Sequence, residues 1–275
     1  MLRTLIDDGR AVLRLEGRDH RDFLQDLVTN DLRRLAPGAP LYAALLSPQG
    51  KYLFDFILVA AEGGILLDLA RDRAEALAER LALYRLRREV MITPTALRVV
   101  LAWGDGADSV PTADDGVIAV PDPRDPALGL RLYAADPEAA LVFLPPSAPA
   151  SRAEWDALRI AHGIPESGIE LVPGESYILE AGFERLHGVD FRKGCYVGQE
   201  VTARMRHKAT LRRGLVRVRV AGDPPPPGTP ILAEGRPAGT LFSTMDGQGL
   251  ALLRLDRSEG ALRAGDAAIA ILEGG

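Results

Sequence analysis

The sequence predicts an α+β chain that ends in a small all-β domain. Apolar, strand-like runs at residues 52–60, 64–70 and 96–103 enclose one amphipathic helix, the order that lays helices on one face of a largely antiparallel sheet. From residue 214 onward the chain breaks into short apolar runs punctuated by Gly, Pro and Asp, the pattern of a small barrel or sandwich. With 275 residues, the chain is also longer than one ordinary core needs.

In chain order, a first helix runs from His20 to about Val28 and buries Phe23, Leu24 and Leu27. Gly63-Gly64 makes a hairpin between the first two strands. The helix from Arg71 to Arg88 carries Ala74, Leu77, Ala78, Leu81 and Tyr84 on one stripe. Asp105 to Pro126 reads as an irregular surface segment with one short strand, and residues 130–134 and 141–144 read as strands. Pro145 to Pro149 reads as a joint. Beyond it, Ser151 and Glu154 fit a capping box for a helix through Trp155, Leu158 and Ala161 that stops at Gly163. Residues 214–220 alternate apolar with Arg, and four consecutive prolines follow within 223–230. Further short strands are expected at 230–233, 240–244, 249–255 and 267–272.

Composition excludes several function classes. Hydrophobic residues make up 47% and charged residues 26%, and mean hydropathy is +0.02. No apolar run approaches the ~18–20 residues needed to span a bilayer. Residues 1–8 lack the apolar core of a secretory signal. A formal charge of −5 opposes indiscriminate binding to phosphate backbones. One cysteine, Cys195, can form neither an internal disulfide nor a four-Cys metal site. A reducing, cytoplasmic location is therefore expected, with no membrane partner.

The segment Phe191-Arg192-Lys193-Gly194-Cys195-Tyr196-Val197-Gly198-Gln199-Glu200 carries the chemistry. Gly194 and Gly198 allow close approach of a ligand to backbone. Residues 199–205 form a helix in this reading, so Cys195 lies just before its N-terminus. That helix end and Lys193 would both favour thiolate over thiol. The alternative is a buried cysteine in a tight turn.

Lys193-Gly194-Cys195-Tyr196-x-Gly198-Gln199-Glu200 resembles the signature of the YgfZ family, folate-binding proteins of iron–sulfur cluster assembly and repair related in fold to the aminomethyltransferase of glycine cleavage. Phe23-Leu24-Gln25 with Thr29-Asn30-Asp31, Leu45-Leu46-Ser47-Pro48-Gln49-Gly50-Lys51, Arg159 with Gly163-Ile164-Pro165, and Gly249-Leu250-Ala251-Leu252 extend the resemblance over nearly the whole chain. It implies an aminomethyltransferase-like three-domain ring: a discontinuous folate-binding domain at 1–36 and 145–210, a ferredoxin-like inserted unit at 37–144, and a β-barrel at 211–275. It also implies tetrahydrofolate, or a one-carbon derivative, as cofactor.

The resemblance assigns Glu180 to the pterin's amino-pyrimidine edge, although Ile178 stands where the family usually has proline; Glu184 and Glu175 are the fallbacks. A carboxylate suits that edge because it accepts two parallel N–H bonds. Tyr196, Gln199, Glu200, Asn30 and Asp31 are further candidates for the folate site. Thr29-Asn30-Asp31 can equally be the cap and turn after the first helix. Aminomethyltransferases carry paired aspartates on one strand; here the matching place reads Phe54-Asp55. Asp55 is thus either a remaining acid–base group or a residue pointing out of a half-buried strand.

His20, His162, His187 and His207 show no compact zinc-ligand spacing with Cys195. If Cys195 ligates an iron–sulfur cluster, the other ligands come from a partner or a small thiol. Arg204, Arg206, His207, Lys208, Arg212, Arg213, Arg217 and Arg219 form either a site for an anionic group or tRNA, or a solvated face. The reading favours a folate-binding assembly factor whose partner is an iron–sulfur carrier or client protein, with an indirect effect on tRNA modification. Its rivals are a folate-dependent one-carbon transferase and a direct tRNA-binding module.

Overall fold

The computed structural model describes residues 1–107, 113–114, 116–207, 211–258 and 260–272. The chain forms two compact units. One comprises residues 1–46, 54–152 and 185–197; the other comprises 47–53, 153–184 and 198–275.

The first unit holds β1 (Leu2–Ile6), β2 (Arg10–Glu16), α1 (His20–Gln25), β3 (Leu41–Leu46), nearly all of β4 (Tyr52–Ala61), β5 (Gly64–Ala70), α2 (Ala74–Arg85), β6 (Met91–Pro94), β7 (Arg98–Trp103), β8 (Ala113–Asp114), β9 (Val117–Pro121), β10 (Leu130–Ala134), α3 (Pro137–Val142) and β11 (Ser147–Pro149). They build two sheets, ordered β3-β4-β5-β2-β6 and β11-β1-β7-β10-β9-β8. β4 and β5 pair antiparallel through the expected hairpin, where Gly63 takes φ +71°. Both strands are buried along most of their length, which explains why they read as near-continuous apolar runs. On α2, Leu77 and Leu81 are buried while Leu83 is exposed, as is Leu86 just past the helix end.

Two local expectations are corrected. Residues 141–144 are not a strand: Leu141 and Val142 end α3 and the next two residues are irregular; the helix is started by Pro137 at its first turn and by the Asp136 carboxylate, which accepts from the Glu138 amide at 3.0 Å. The proline-rich joint contains β11, which pairs parallel with β1, Leu2 opposite Ser147. The strands β1 and β2 went unanticipated, although Val12, Leu13 and Leu15 bury fully enough to drive β2.

A charged ladder joins β5 to β10 inside this unit. The Arg131 guanidinium donates to Asp68 at 2.6 Å and to Asp122 at 2.7 Å. Arg10 adds a 2.6 Å bond to Asp68, Arg124 a 2.8 Å bond to Asp122, and the Tyr133 hydroxyl a 3.0 Å bond to Asp68. Burial alone would raise both carboxyls; the arginines outweigh it and hold Asp68 and Asp122 below the usual carboxylate range.

The second unit holds α4 (Arg152–Ala161, save its first residue), α5 (Gln199–His207) and the strands β12 (Arg213–Ala221), β13 (Thr229–Ala233), β14 (Arg236–Met245), β15 (Gln248–Arg254), β16 (Leu262–Ala264) and β17 (Ala267–Ile271). The six strands close into a barrel ordered β12-β15-β14-β13-β16-β17, filled by Val218, Ile231, Leu241, Leu253 and Ile269. Arg159 of α4 is buried, bonding Ser243 of β14 at 2.6 Å and Glu170 at 3.3 Å, so the helix and barrel share a polar anchor.

Candidate functional site

The sequence-predicted residues fall into two groups, one in each unit. In the first unit, Thr29-Asn30-Asp31 proves to be a stitching element. The Thr29 hydroxyl donates to the Gly188 carbonyl at 2.6 Å, and the Asn30 amide donates to the carbonyls of Tyr42 at 2.8 Å and His187 at 2.7 Å. Asp31 caps a short 3₁₀ turn by accepting from the Arg33 amide at 3.1 Å, and pairs with the Arg33 guanidinium at 2.6 Å. That bonding lowers its carboxyl to about 2. Asn30 and Asp31 thus serve the cap and turn that was one of the two readings of this triplet.

The stitched segment leads directly into the cysteine loop. Lys193 is only 4% exposed and Tyr196 8%, whereas Gly194 and Cys195 between them are exposed. The Lys193 ammonium donates to the carbonyls of Gln25 at 2.6 Å, Asn30 at 3.1 Å and Val28. Burial pulls it down to about 8, opposed by the charges of Asp31, Asp26 and Asp190. An ammonium has three donors, and all three are taken by these carbonyls. Cys195 is an exposed thiol, so the buried-turn alternative falls. Asp55 is buried rather than pointing outward, and accepts from the Tyr42 hydroxyl at 3.0 Å.

In the second unit, Glu180 lines a cavity of about 360 Å³ together with Tyr177, Val201, Arg204, Met205, Leu211 and Arg212. That volume falls in the ~300–1,000 Å³ range of small-molecule sites. The Glu180 carboxylate is largely buried and pairs with Arg213 at 3.3 Å. Lys51 sits 3.5 Å above the Tyr177 ring and donates to the Glu175 carbonyl at 2.7 Å. Gly50, at φ +73°, brings this turn against α5: a Cβ there would lie 2.7 Å from the Val201 Cβ. Of the three acids weighed for the pterin, Glu180 alone lines the cavity, since Glu184 pairs with Arg206 at 3.1 Å on the surface. Gln199 and Glu200 open α5, and the Glu200 carboxylate accepts from Arg204 at 2.9 Å in the open. Much of the basic stretch is similarly paired, Arg204, Arg206 and Arg213 each with a glutamate, while Lys208 lies outside the described residues.

Tyr177, Arg213 and Lys51 were missed as site residues. Lys51 stood in the quoted turn motif and Arg213 in the basic stretch, but their partners are too distant in sequence to read.

Comparison with known proteins decides the family. Human "Iron-sulfur cluster assembly factor IBA57, mitochondrial" is 36% identical over 285 residues, covering 93% of this chain and 78% of its own length. The protein of the same name from Mus musculus is 33% identical over 282 residues, with the same coverage. The chain belongs to the IBA57 family. Residues 212–272 match the C-terminal beta-barrel domain described for CAF17, which is the barrel observed in this IBA57 relative. The glycine cleavage system aminomethyltransferase T from Bartonella henselae superposes with a TM-score of 0.82 over 99% of this chain and 85% of its own, at 16% identity. The IBA57-family chain therefore has the aminomethyltransferase-like fold expected from its sequence. One expectation is overturned: these IBA57 relatives are named as mitochondrial, against the cytoplasmic location read from composition.

Proposed function

We propose that the protein is an accessory factor of iron–sulfur cluster assembly or repair that binds a reduced folate and presents Cys195 to a carrier or client protein. The observation that carries this reading is the exposed thiol held between two buried neighbours, Lys193 and Tyr196, in a chain of the IBA57 family. The finer kinship with the YgfZ group rests on the motif from Lys193 to Glu200. Among the described residues no group of three or more His, Cys, Asp or Glu is placed to hold a metal ion, so a cluster meeting Cys195 takes its other ligands from the partner or a small thiol. The cluster is cargo.

The second-unit cavity suits a pterin. Glu180 supplies acceptor oxygens, each with a lone pair to spare beyond Arg213, while Tyr177 and Met205 supply aromatic and apolar walls. Arg204 and Arg212 at the same cavity suit an anionic tail. A bound folate would supply one-carbon chemistry. An effect on tRNA modification follows indirectly, through the iron–sulfur enzymes served. The test is complementation of iron–sulfur enzyme activity in cells lacking the endogenous relative. Wild type restores it and Cys195→Ser does not; full complementation by the serine variant removes the thiol from the function. Calorimetry with tetrahydrofolate tests the second half, and no binding to wild type removes folate.

A further inference from the structure

The cysteine loop has no regular secondary structure from residue 191 to 198, yet its ends are fixed. Lys193 reaches across the unit to three carbonyls in a segment more than 160 residues earlier in the chain. Gln25 is the last residue of α1, and its carbonyl belongs to the helix end that carries partial negative charge. Val28 and Asn30 lie in the following turn, which the Thr29 and Asn30 side chains stitch to residues 187 and 188. The Lys193 ammonium also stands 5.2 Å from the centre of the Tyr196 ring. Nothing lies within 4 Å of where a Gly194 Cβ would be, so the arch between these two feet stands clear.

We infer that Lys193 is a positioning residue: its ammonium clamps the cysteine loop to the end of α1 and thereby fixes where the Cys195 thiol is presented. The inference rests on the proposed role of Cys195 and adds the device that orients it. Three carbonyls converging on one nitrogen suit a compact ammonium with three rotatable donors. The planar fork of arginine cannot place its donors on that pattern, so charge alone does not reproduce the clamp.

The experiment compares wild type, Lys193→Met and Lys193→Arg as full chains. Hydrogen exchange is read at the Asp190 and Arg192 amides, which are bonded to the Thr29 carbonyl at 3.0 Å and the Asp190 carboxylate at 2.7 Å. Iodoacetamide labelling of Cys195 is followed across pH. Exchange at the two amides should rise about tenfold or more in both variants, because bonds to a charged donor are the stronger class. Exchange in the barrel should stay unchanged, and the midpoint of the labelling profile should not move. A midpoint that rises with the two amides still protected would show the ammonium acting on the thiolate and overturn the clamp. So would exchange rising across both units, or no change at all. If neither variant folds, ¹⁵N NMR of wild type decides: a slowly exchanging Lys193 ammonium coupled to the carbonyls of Gln25, Val28 and Asn30 supports the clamp, and a rapidly exchanging one overturns it. Full complementation by Cys195→Ser would undo the functional reading while leaving these measurements intact, so the two failures are distinguishable.

Discussion

Arg131 and Asp68 meet at 2.6 Å in the interior of the first unit, each almost completely shielded from water. Asp122 completes the arrangement on the other side of the guanidinium. Two carboxylates and three arginines in one apolar interior are tolerable because nearly every lone pair and donor has a partner. Removing the central cation is therefore far more damaging than removing any surface pair.

Arg131→Met should lower the unfolding free energy by about 3 kcal/mol or more, because it leaves Asp68 and Asp122 with only Arg10 and Arg124 as counterions. Urea denaturation checks this. A loss under about 1 kcal/mol would show that the ladder reorganises at little cost.

Asp31 should titrate near 2 by NMR and return toward the ordinary carboxylate value when Arg33 is replaced by alanine. Since its folded value lies below the unfolded one, its stabilising effect is complete above about pH 4 and disappears as the pH falls toward 2. Acid unfolding of Arg33→Ala should consequently show less loss of stability across that interval than wild type.

Glu180→Ala should weaken tetrahydrofolate binding by about 2–3 kcal/mol, the scale of a lost charge-assisted hydrogen-bonded pair. Arg213→Met separates two effects: it frees the carboxylate from its internal partner without deleting it. Calorimetry on both variants should show the alanine losing more affinity than the methionine. Equal affinity in wild type and Glu180→Ala would place the pterin elsewhere.

Gly50→Ala should destabilise the second unit by about 1–3 kcal/mol, through a positive φ and a Cβ forced to within 2.7 Å of Val201. Because Val201 also lines the Glu180 cavity, folate affinity should fall with stability. Thermal unfolding and calorimetry on the same sample check both.

Cys195→Ser should change stability by less than about 0.5 kcal/mol, as expected for an exposed loop thiol. A larger loss would mean that the sulfur packs against something in solution.

The sequence was legible where the signal is local. The hairpin at Gly63-Gly64, the helix stripe of Leu77 and Leu81, and the short strands of the barrel follow from nearby residues alone. Residues 141–144 misled because apolar content outweighed the Asp136-Pro137 start signal just upstream. β11 misled because prolines suggest linkers, and only pairing with a strand about 145 residues away makes a strand of Ser147–Pro149. For the site the same division holds. Cys195 is exposed and Glu180 lines a cavity, and neither that exposure nor a cavity can be read from motif and spacing alone. The fate of Lys193 could not be read, since a lysine beside a cysteine looks like an electrostatic partner until its carbonyl acceptors are seen.

Closure of the C-terminal barrel also matters for how the protein misassembles. A closed sheet offers no unpaired row of amides and carbonyls to a foreign strand, whereas the two open sheets each end in such a row. Those ends are blunted: β8 has two residues, β11 has three and ends on Pro149, and β6 ends on Pro94. The remaining edge, β3, is six residues of uninterrupted buried apolar chain, Leu41–Leu46. When the first unit loosens on heating, β3 is the segment that would nucleate aggregation, and a lysine placed beside it should suppress turbidity more than one placed anywhere on the barrel.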